Sequence, residues 1–326
     1  MRMRSACSLN ACSLNACSRS ACSRPAASAA RRLARAVLLL CVACGPVLAA
    51  PACPPAGDAR DALFALKQTV APPASPDERM QASERLMACL ADPDPALRDG
   101  VVYETLARWL RSGVYAPDEL RRLRDPLYAW LDGPAGAGFA HPFAALVLSE
   151  VARTDRIAPW MQAGERTAMV TRAAEYLERV DDDRSFDATE GWRHGVAHGA
   201  DWLMQLALNP ALDQEDGARM LDAIAAQVVP ARAHAYTAGE PARLARPVLF
   251  LAQTQPRVPE VWAEWFAALP PGIGDPALAY ADRDWLARRH DLVAFLQALY
   301  VTADQSEHAS VRALLPGVIA ALKAIP

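Results

Sequence analysis

Residues 190–210 read EGWRHGVAHGADWLMQLALNP. The stretch is apolar enough for a buried helix, and wound as one it sets His194, His198, Asp201 and Gln205 at i, i+4, i+7 and i+11. That spacing draws one polar stripe along one helix face, and Glu190 extends it by a turn. Gly191, Gly195 and Gly199 form a second stripe at i, i+4 and i+8. Each interior glycine costs a helix about 1 kcal/mol relative to alanine. Three in register predict that another element packs very close to this backbone. The reading makes 190–205 a central helix and the rest of the chain a scaffold around it.

Working outward, nearly every segment from residue 58 onward has helical rather than alternating apolar periodicity. Asp94-Pro95 supplies an N-cap followed by proline at the first helical position, and Pro117 opens a helix that ends at Gly133. Thr237 and Glu240 have capping-box spacing before the apolar run 244–251. Segments 259–269, 285–301 and 311–325 carry the pattern to the end of the chain. Helices joined by short Pro/Gly turns, with almost no strand signal, predict an all-α single domain. Asp92-Pro93-Asp94-Pro95-Ala96-Leu97-Arg98-Asp99 looks like the start of a HEAT repeat. The expected architecture is therefore one of stacked helical hairpins forming a HEAT-like α-superhelix.

The N-terminal part is of another kind. Residues 6–25 are four copies of a five-residue unit, ACSLN, ACSLN, ACSRS and ACSRP. A period that short matches no packed repeat. Residues 1–28 read as a disordered Cys/Ser-rich repeat or a start assigned too far upstream. A basic patch, Arg31-Arg32-Leu33-Ala34-Arg35, precedes the apolar run VLLLCVACGPVLAA at 37–50, which makes 29–52 a secretory signal peptide. Val47-Leu48-Ala49 and Ala50-Pro51-Ala52 are both suitable cleavage triplets. The 14-residue run is shorter than the roughly 20 residues that span a bilayer. The expected destination is periplasmic or secreted, with no stable membrane span after cleavage. Lipidation at Cys44 is the lesser alternative, because Cys41 stands where a lipoprotein signal usually has leucine. Cys53 and Cys89 would remain, either paired in an oxidising compartment or as two free thiols. Residues 53–85 read as N-terminal helices and 86–326 as the main helical domain.

Charge narrows the partners. The first 57 residues hold seven arginines and no Asp, Glu or Lys, so the remainder has 27 basic against 37 acidic residues, a net charge of −10. Such a body does not bind nucleic acid through bulk charge. No glycine-rich phosphate loop, Gly-x-Ser-x-Gly elbow or zinc-finger spacing occurs.

The chemistry that remains centres on the stripe. Two histidines at i, i+4 with Asp201 beyond them could share a divalent metal, held by His194, His198 and Asp201. It is not a zincin motif, since Gly195 rather than glutamate follows His194. The same residues could form a catalytic acid–base pair, with His194 or His198 as base and Asp201 or Glu190 orienting it. They could equally be a buried network whose members satisfy one another across helices. Arg288, Arg289, His290 and Asp291 interrupt an otherwise apolar helix. Arg289, His290 and Asp291 could face the stripe and complete a ligand pocket with Glu190, Trp192, Arg193, Trp202 and Gln205, the two indoles serving as walls. A further group, Tyr236, Glu240, Arg243 and Arg246, reads mainly as capping plus an i, i+3 ion pair. The favoured function is an exported helical binding or scaffold protein for a small molecule or protein ligand. The alternative is a hydrolase-type enzyme built on a His/Asp pair, with metal assistance optional.

The segment GWRHGVAHGADWLMQLALNP, with RDGVVYETLARWL before it and LARRHDLVAFLQALYV after it, resembles a bacterial family, domain of unknown function number 2785. The similarity spans about 86–326, and its most specific part is the Gly191–Asp201 run. It implies one all-helical domain and carries no activity, cofactor or catalytic residue with it.

Overall fold

The computed structural model describes residues 52–55, 59–69, 71–232 and 234–326. The repeat in 1–28 and the export segment up to residue 51 lie outside the described residues. Helix starts follow local chemistry. Ser75 caps α2 (Pro76–Met87) by accepting from Glu78 N, and Asp94 caps α3 (Pro95–Leu97) by accepting from Ala96 N. Both helices begin with proline, which lacks the N–H that a first turn leaves unbonded. Ahead of them stands α1 (Arg60–Leu66). A π-helical turn, Arg98–Tyr103, joins α3 to α4 (Glu104–Arg111) without a break. There follow α5 (Pro117–Asp132), α6 (Ala140–Ile157) and α7 (Ala163–Arg179). A two-stranded antiparallel hairpin, β1 (Phe186–Asp187) with β2 (Gly191–Trp192), leads into α8 (Gly195–Ala207). The chain continues through α9 (Gln214–Val228), α10 (Glu240–Thr254), α11 (Pro259–Ala267), α12 (Arg283–Asp304), α13 (Ala309–Arg312) and α14 (Leu315–Ala324).

Helices two apart in sequence lie side by side: α4 on α6, α6 on α8, α8 on α10, α10 on α12 and α12 on α14, with α7 on α9. The fold is all-α. Its centre is α8, which touches α6, α7 and α10 and buries Val196, Ala200, Trp202, Leu203 and Leu206. Two of the three glycines of the stripe, Gly195 and Gly199, fall on this helix and do what their spacing predicts, while Gly191 lies in β2. A Cβ on Gly199 would stand 3.0 Å from both Leu177 Cδ1 and Tyr176 Cε1, and one on Gly195 would stand 3.2 Å from Val180 Cγ1. Removing the side chains on this face is what lets α7 approach the backbone.

The central helix is shorter than expected, beginning at Gly195 rather than at residue 190. Gly191 has φ +75° and His194 φ 57°, conformations a right-handed helix does not contain. A Cβ on Gly191 would meet Pro95 Cβ at 2.9 Å. The carbonyls of Glu190 and Trp192 accept from Arg98 Nη2 at 2.8 and 3.3 Å, and are thereby unavailable to a helical ladder. Arg98, fully buried, also donates to the Asp92 and Pro93 carbonyls and lies over the Phe139 and Phe143 rings. One guanidinium thus ties the start of α3 to the hairpin. Cys53 and Cys89 form a disulfide that pins the N-terminal segment to the residues just after α2.

Candidate functional site

His194 sits at the N-cap of α8 in the left-handed region, where a non-glycine residue is uncommon and strained. That turn brings its ring under Trp192, with centroids 4.5 Å apart, and against His198 edge-on at 5.9 Å. Nδ1 is sealed from solvent and faces Glu240 Oε1 at 3.6 Å, an electrostatic contact longer than a hydrogen bond. Nε2 has no hydrogen-bond partner among the described residues and, unlike Nδ1, is not sealed. Glu240 opens α10 and is itself buried. Burial alone would raise its carboxyl. The facing His194 and the backbone N–H groups of Glu240 and Ala238 outweigh it and hold the carboxyl below the ordinary range.

The rest of the stripe points elsewhere. His198 is buried, and its Nδ1 lies 3.1 Å from the Pro142 carbonyl on α6. Burial above all, with His194 and Arg243 adding to it, pushes this imidazole down to about 3, so it is neutral at physiological pH. Asp201 takes both donors of the Arg243 fork on α10, with Arg246 Nη1 at 3.9 Å. Burial still raises its carboxyl against those cations. Gln205 accepts from Arg156 Nε on α6 at 3.2 Å. His198, Asp201 and Gln205 are therefore joints between α8 and its two neighbours.

Among the other expected pocket residues, Arg193 is buried, donates to Glu190 Oε2 and the Ala137 carbonyl, and lies over the Phe139 ring. Trp202 is buried in a stack with Tyr128 and lines no opening. Trp192 is 40% exposed and Phe186 59%, their centroids 4.8 Å apart on the hairpin.

The α12 group stands apart from the stripe. Arg289 Nε donates to the carbonyl of Pro326 and its guanidinium lies over Tyr280. His290 Nε2 meets the Tyr236 carbonyl at 3.2 Å, while Asp291 Oδ1 accepts from Tyr236 N at 2.7 Å. The pair clamps the link between α9 and α10 by its backbone. Asp291 is buried with Oδ2 unbonded, and burial pushes its carboxyl up to about 6.

No group of three His, Cys, Asp or Glu side chains converges closely enough to hold a metal ion among the described residues. The expected trio is dispersed: Nδ1 of His198 is on Pro142 and Asp201 is on Arg243, while the Nε2 atoms of both His194 and His198 have no hydrogen bond among the described residues. On the far side of the α8 start opens a cleft of about 430 Å³, lined by Leu131, His141, Pro142, Tyr176, Arg179 and Arg193 among others.

Sequence reasoning missed Glu240 and Arg243 as the partners of His194 and Asp201. Their signal is present in the cluster at the start of α10, but local spacing reads it as capping and a Glu240–Arg243 pair, whereas in the structure the partners come from α8. The N-cap of α10 is Gly239, and Glu240 occupies the first helical position.

A family model described as Protein of unknown function (DUF2785) matches residues 136–301, half of the chain. The chain belongs to this family. The DUF2785 match is narrower than 86–326 and runs from just before α6 into α12. It holds the hairpin, His194, Glu240, Asp201 and Arg243, and leaves Arg98 outside. No curated protein and no solved structure matches the chain.

Proposed function

We propose that this DUF2785 protein is an exported, non-catalytic helical binding module that holds its ligand at the start of α8. The observation that carries the reading is how the titratable groups of α8 are used. His198, Asp201 and Gln205 are occupied in links to α6 and α10, and do not converge on an open space with a nucleophile. What supports a ligand site there is the cleft bordered by Arg193 and Gly195, which neither Trp192 nor His194 lines; the exposed Trp192 and the unbonded Nε2 of His194 lie outside it. The cleft's volume falls within the roughly 300–1,000 Å³ usual for small-molecule sites. The side-by-side packing of alternate helices supports a HEAT-like α-superhelix as the frame. The Cys53–Cys89 disulfide supports an oxidising destination. Among the described residues, no helix is long and apolar enough to cross a membrane.

Fractionation of the native host, followed by N-terminal sequencing, tests export. The expected species starts at Ala50 or Cys53 outside the cytoplasm, and a cytoplasmic chain retaining 29–52 overturns that part.

A second reading has one observation in its favour. A buried carboxylate facing Nδ1, with Nε2 open, is the arrangement of a general base with its orienting acid. In that reading His194 is the base and Glu240, in place of Asp201 or Glu190, orients it in a hydrolase. Turnover of chromogenic ester, phosphoester, glycoside and peptide substrates decides between the two. The binding module predicts none above background. Turnover that falls a hundredfold or more in His194→Asn establishes the hydrolase instead.

A further inference from the structure

Along α4, α6, α8 and α10 runs a surface on which arginines outnumber the carboxylates that could neutralise them. A chain of contacts makes it one surface. Arg111 on α4 gives Nε and Nη2 to Glu150 on α6, Arg156 on α6 reaches Gln205 on α8, and Asp201 on α8 takes the Arg243 fork from α10. Glu150 and Asp201 are each engaged by a whole guanidinium. Arg153, Arg156 and Arg246 are left over. Arg153 has no hydrogen bond or ion pair among the described residues. Arg156 has only the neutral Gln205 amide, and Arg246 comes no closer to Asp201 than 3.9 Å. Arg153 and Arg156 lie three residues apart on one helix. Burial, with that like charge adding to it, lowers the Arg156 guanidinium against a smaller opposing pull from Glu150. Residues 58–326, with 27 basic against 37 acidic side chains, thus carry an under-neutralised row of cations.

An apolar hollow flanks the row at each end. One, of about 230 Å³, lies between the ends of α4 and α6; Leu110, Tyr115 and Ile157 are in its wall, with Arg111 and Arg153. The other, of about 770 Å³, lies among α8, α10 and α12; Met204, Phe250 and Val301 are in its wall, with Arg246. No carboxylate lines either hollow, and Asp304 and Glu307, close in sequence to Val301, are not in the wall of the second. Packed helices lie about 8–10 Å apart, so the row from α6 to α10 is roughly 16–20 Å long. An extended chain covers that length with about five or six residues. A nucleic acid would meet the cations but bring no aliphatic side chains to the hollows, and the acidic body would repel it. We propose that this face docks an extended acidic protein segment, whose Asp and Glu side chains pair with Arg153, Arg156 and Arg246 and whose flanking apolar residues enter the two hollows. None of the residues that line these hollows lines the cleft at the start of α8, so the inference goes beyond that site and does not depend on it.

The test selects a phage-displayed library of random peptides of about twelve residues, long enough for the row and both hollows, on the purified protein. Single-stranded oligothymidylate is titrated in parallel. Enriched peptides are expected to carry several Asp or Glu between apolar residues. As labelled synthetic peptides they should bind in fluorescence polarisation, more weakly as salt is raised, and about tenfold or more weakly to Arg153→Gln/Arg246→Gln. Neither arginine makes a hydrogen bond among the described residues, so this variant should keep the parental melting curve. Should it melt early, Arg153→Gln alone is read in its place. Ile157→Ser/Val301→Ser, at positions 60% and 51% exposed, should weaken binding about fivefold through the hollows. A library without enrichment overturns the proposal. So do enriched peptides that lack acidic residues, or acidic peptides that bind the arginine variant as tightly as the parent. Oligothymidylate that binds where no acidic peptide does, and is lost in the arginine variant, overturns it in favour of a nucleic-acid surface.

Discussion

Burial acts with opposite sign on His198 and Asp291. An unfolded histidine titrates near 6.5, whereas folded His198 stays neutral down to about 3. Its contribution to stability is complete above pH 6.5 and is lost as pH falls towards 3, about 2 kcal/mol between pH 7 and pH 5. Asp291 is held up at about 6 against roughly 3.9 unfolded, so the folded state keeps its proton longer. Its contribution is complete below pH 4 and is lost as pH rises through 6, about 1 kcal/mol between pH 5 and pH 7. The two slopes partly cancel. Urea denaturation at pH 5 and pH 7 separates them. His198→Gln, which keeps a donor for the Pro142 carbonyl, should remove the acid loss and expose the Asp291 slope. Asp291→Asn should steepen the acid loss. A His198→Gln variant with the same pH difference as the parent contradicts the neutral, buried imidazole.

At the scale of elements, α7 and α8 are as close as their side chains allow. Gly199→Ala gains about 1 kcal/mol of helix propensity but drives a methyl into Leu177 and Tyr176 at 3.0 Å. Overpacking of that kind costs about 1–3 kcal/mol. Thermal unfolding should show a net loss, and a raised melting temperature would mean that α7 yields. Arg98→Met removes the donors to four backbone carbonyls, those of Asp92, Pro93, Glu190 and Trp192. Buried acceptors left unpaired cost about 1–3 kcal/mol each. A loss of at least about 3 kcal/mol is expected, and a loss under about 1 kcal/mol would show that the hairpin does not depend on this guanidinium.

These elements also mark where local sequence was legible. Asp94-Pro95 and Pro117 announce helix starts because capping is a contact between near neighbours. The glycine stripe was readable because its consequence, a close partner, follows from helix geometry alone. The break before Gly195 was not, because it depends on Arg98, more than ninety residues upstream. A left-handed histidine leaves no mark in composition. The polar stripe was visible, but its bonding was decided by α6 and α10, whose placement the helical pattern does not give.

Across the whole molecule, the disulfide closes a separation of 36 residues. A cross-link of that span is worth about 3–4 kcal/mol in the chain-entropy description. Cys89 is fully buried, so a Cys53→Ser/Cys89→Ser pair also loses packing. The protein isolated from its native compartment should show no free thiol at Cys53 or Cys89 until reduced, and reduction should lower the melting temperature by several degrees. Two free thiols in the native material would contradict the oxidising destination.

On the proposed function, the α8 region consists of joints that hold the helix, His198 and Asp201, and an end at His194 that does not. Equilibrium unfolding at pH 7 of His194→Asn, His198→Gln and Asp201→Asn tests that division most directly. Asp201→Asn should lose about 1–2 kcal/mol, because Arg243 is left beside a neutral partner in a half-buried pair. His198→Gln should lose about 1 kcal/mol or more through its core contacts with Phe143. His194→Asn, which keeps the turn and removes only the ring, should stay within about 1 kcal/mol of the parent. A His194 variant that unfolds while the other two remain at parental stability would reverse the assignment, making His194 the joint and leaving His198 and Asp201 free to act on a ligand.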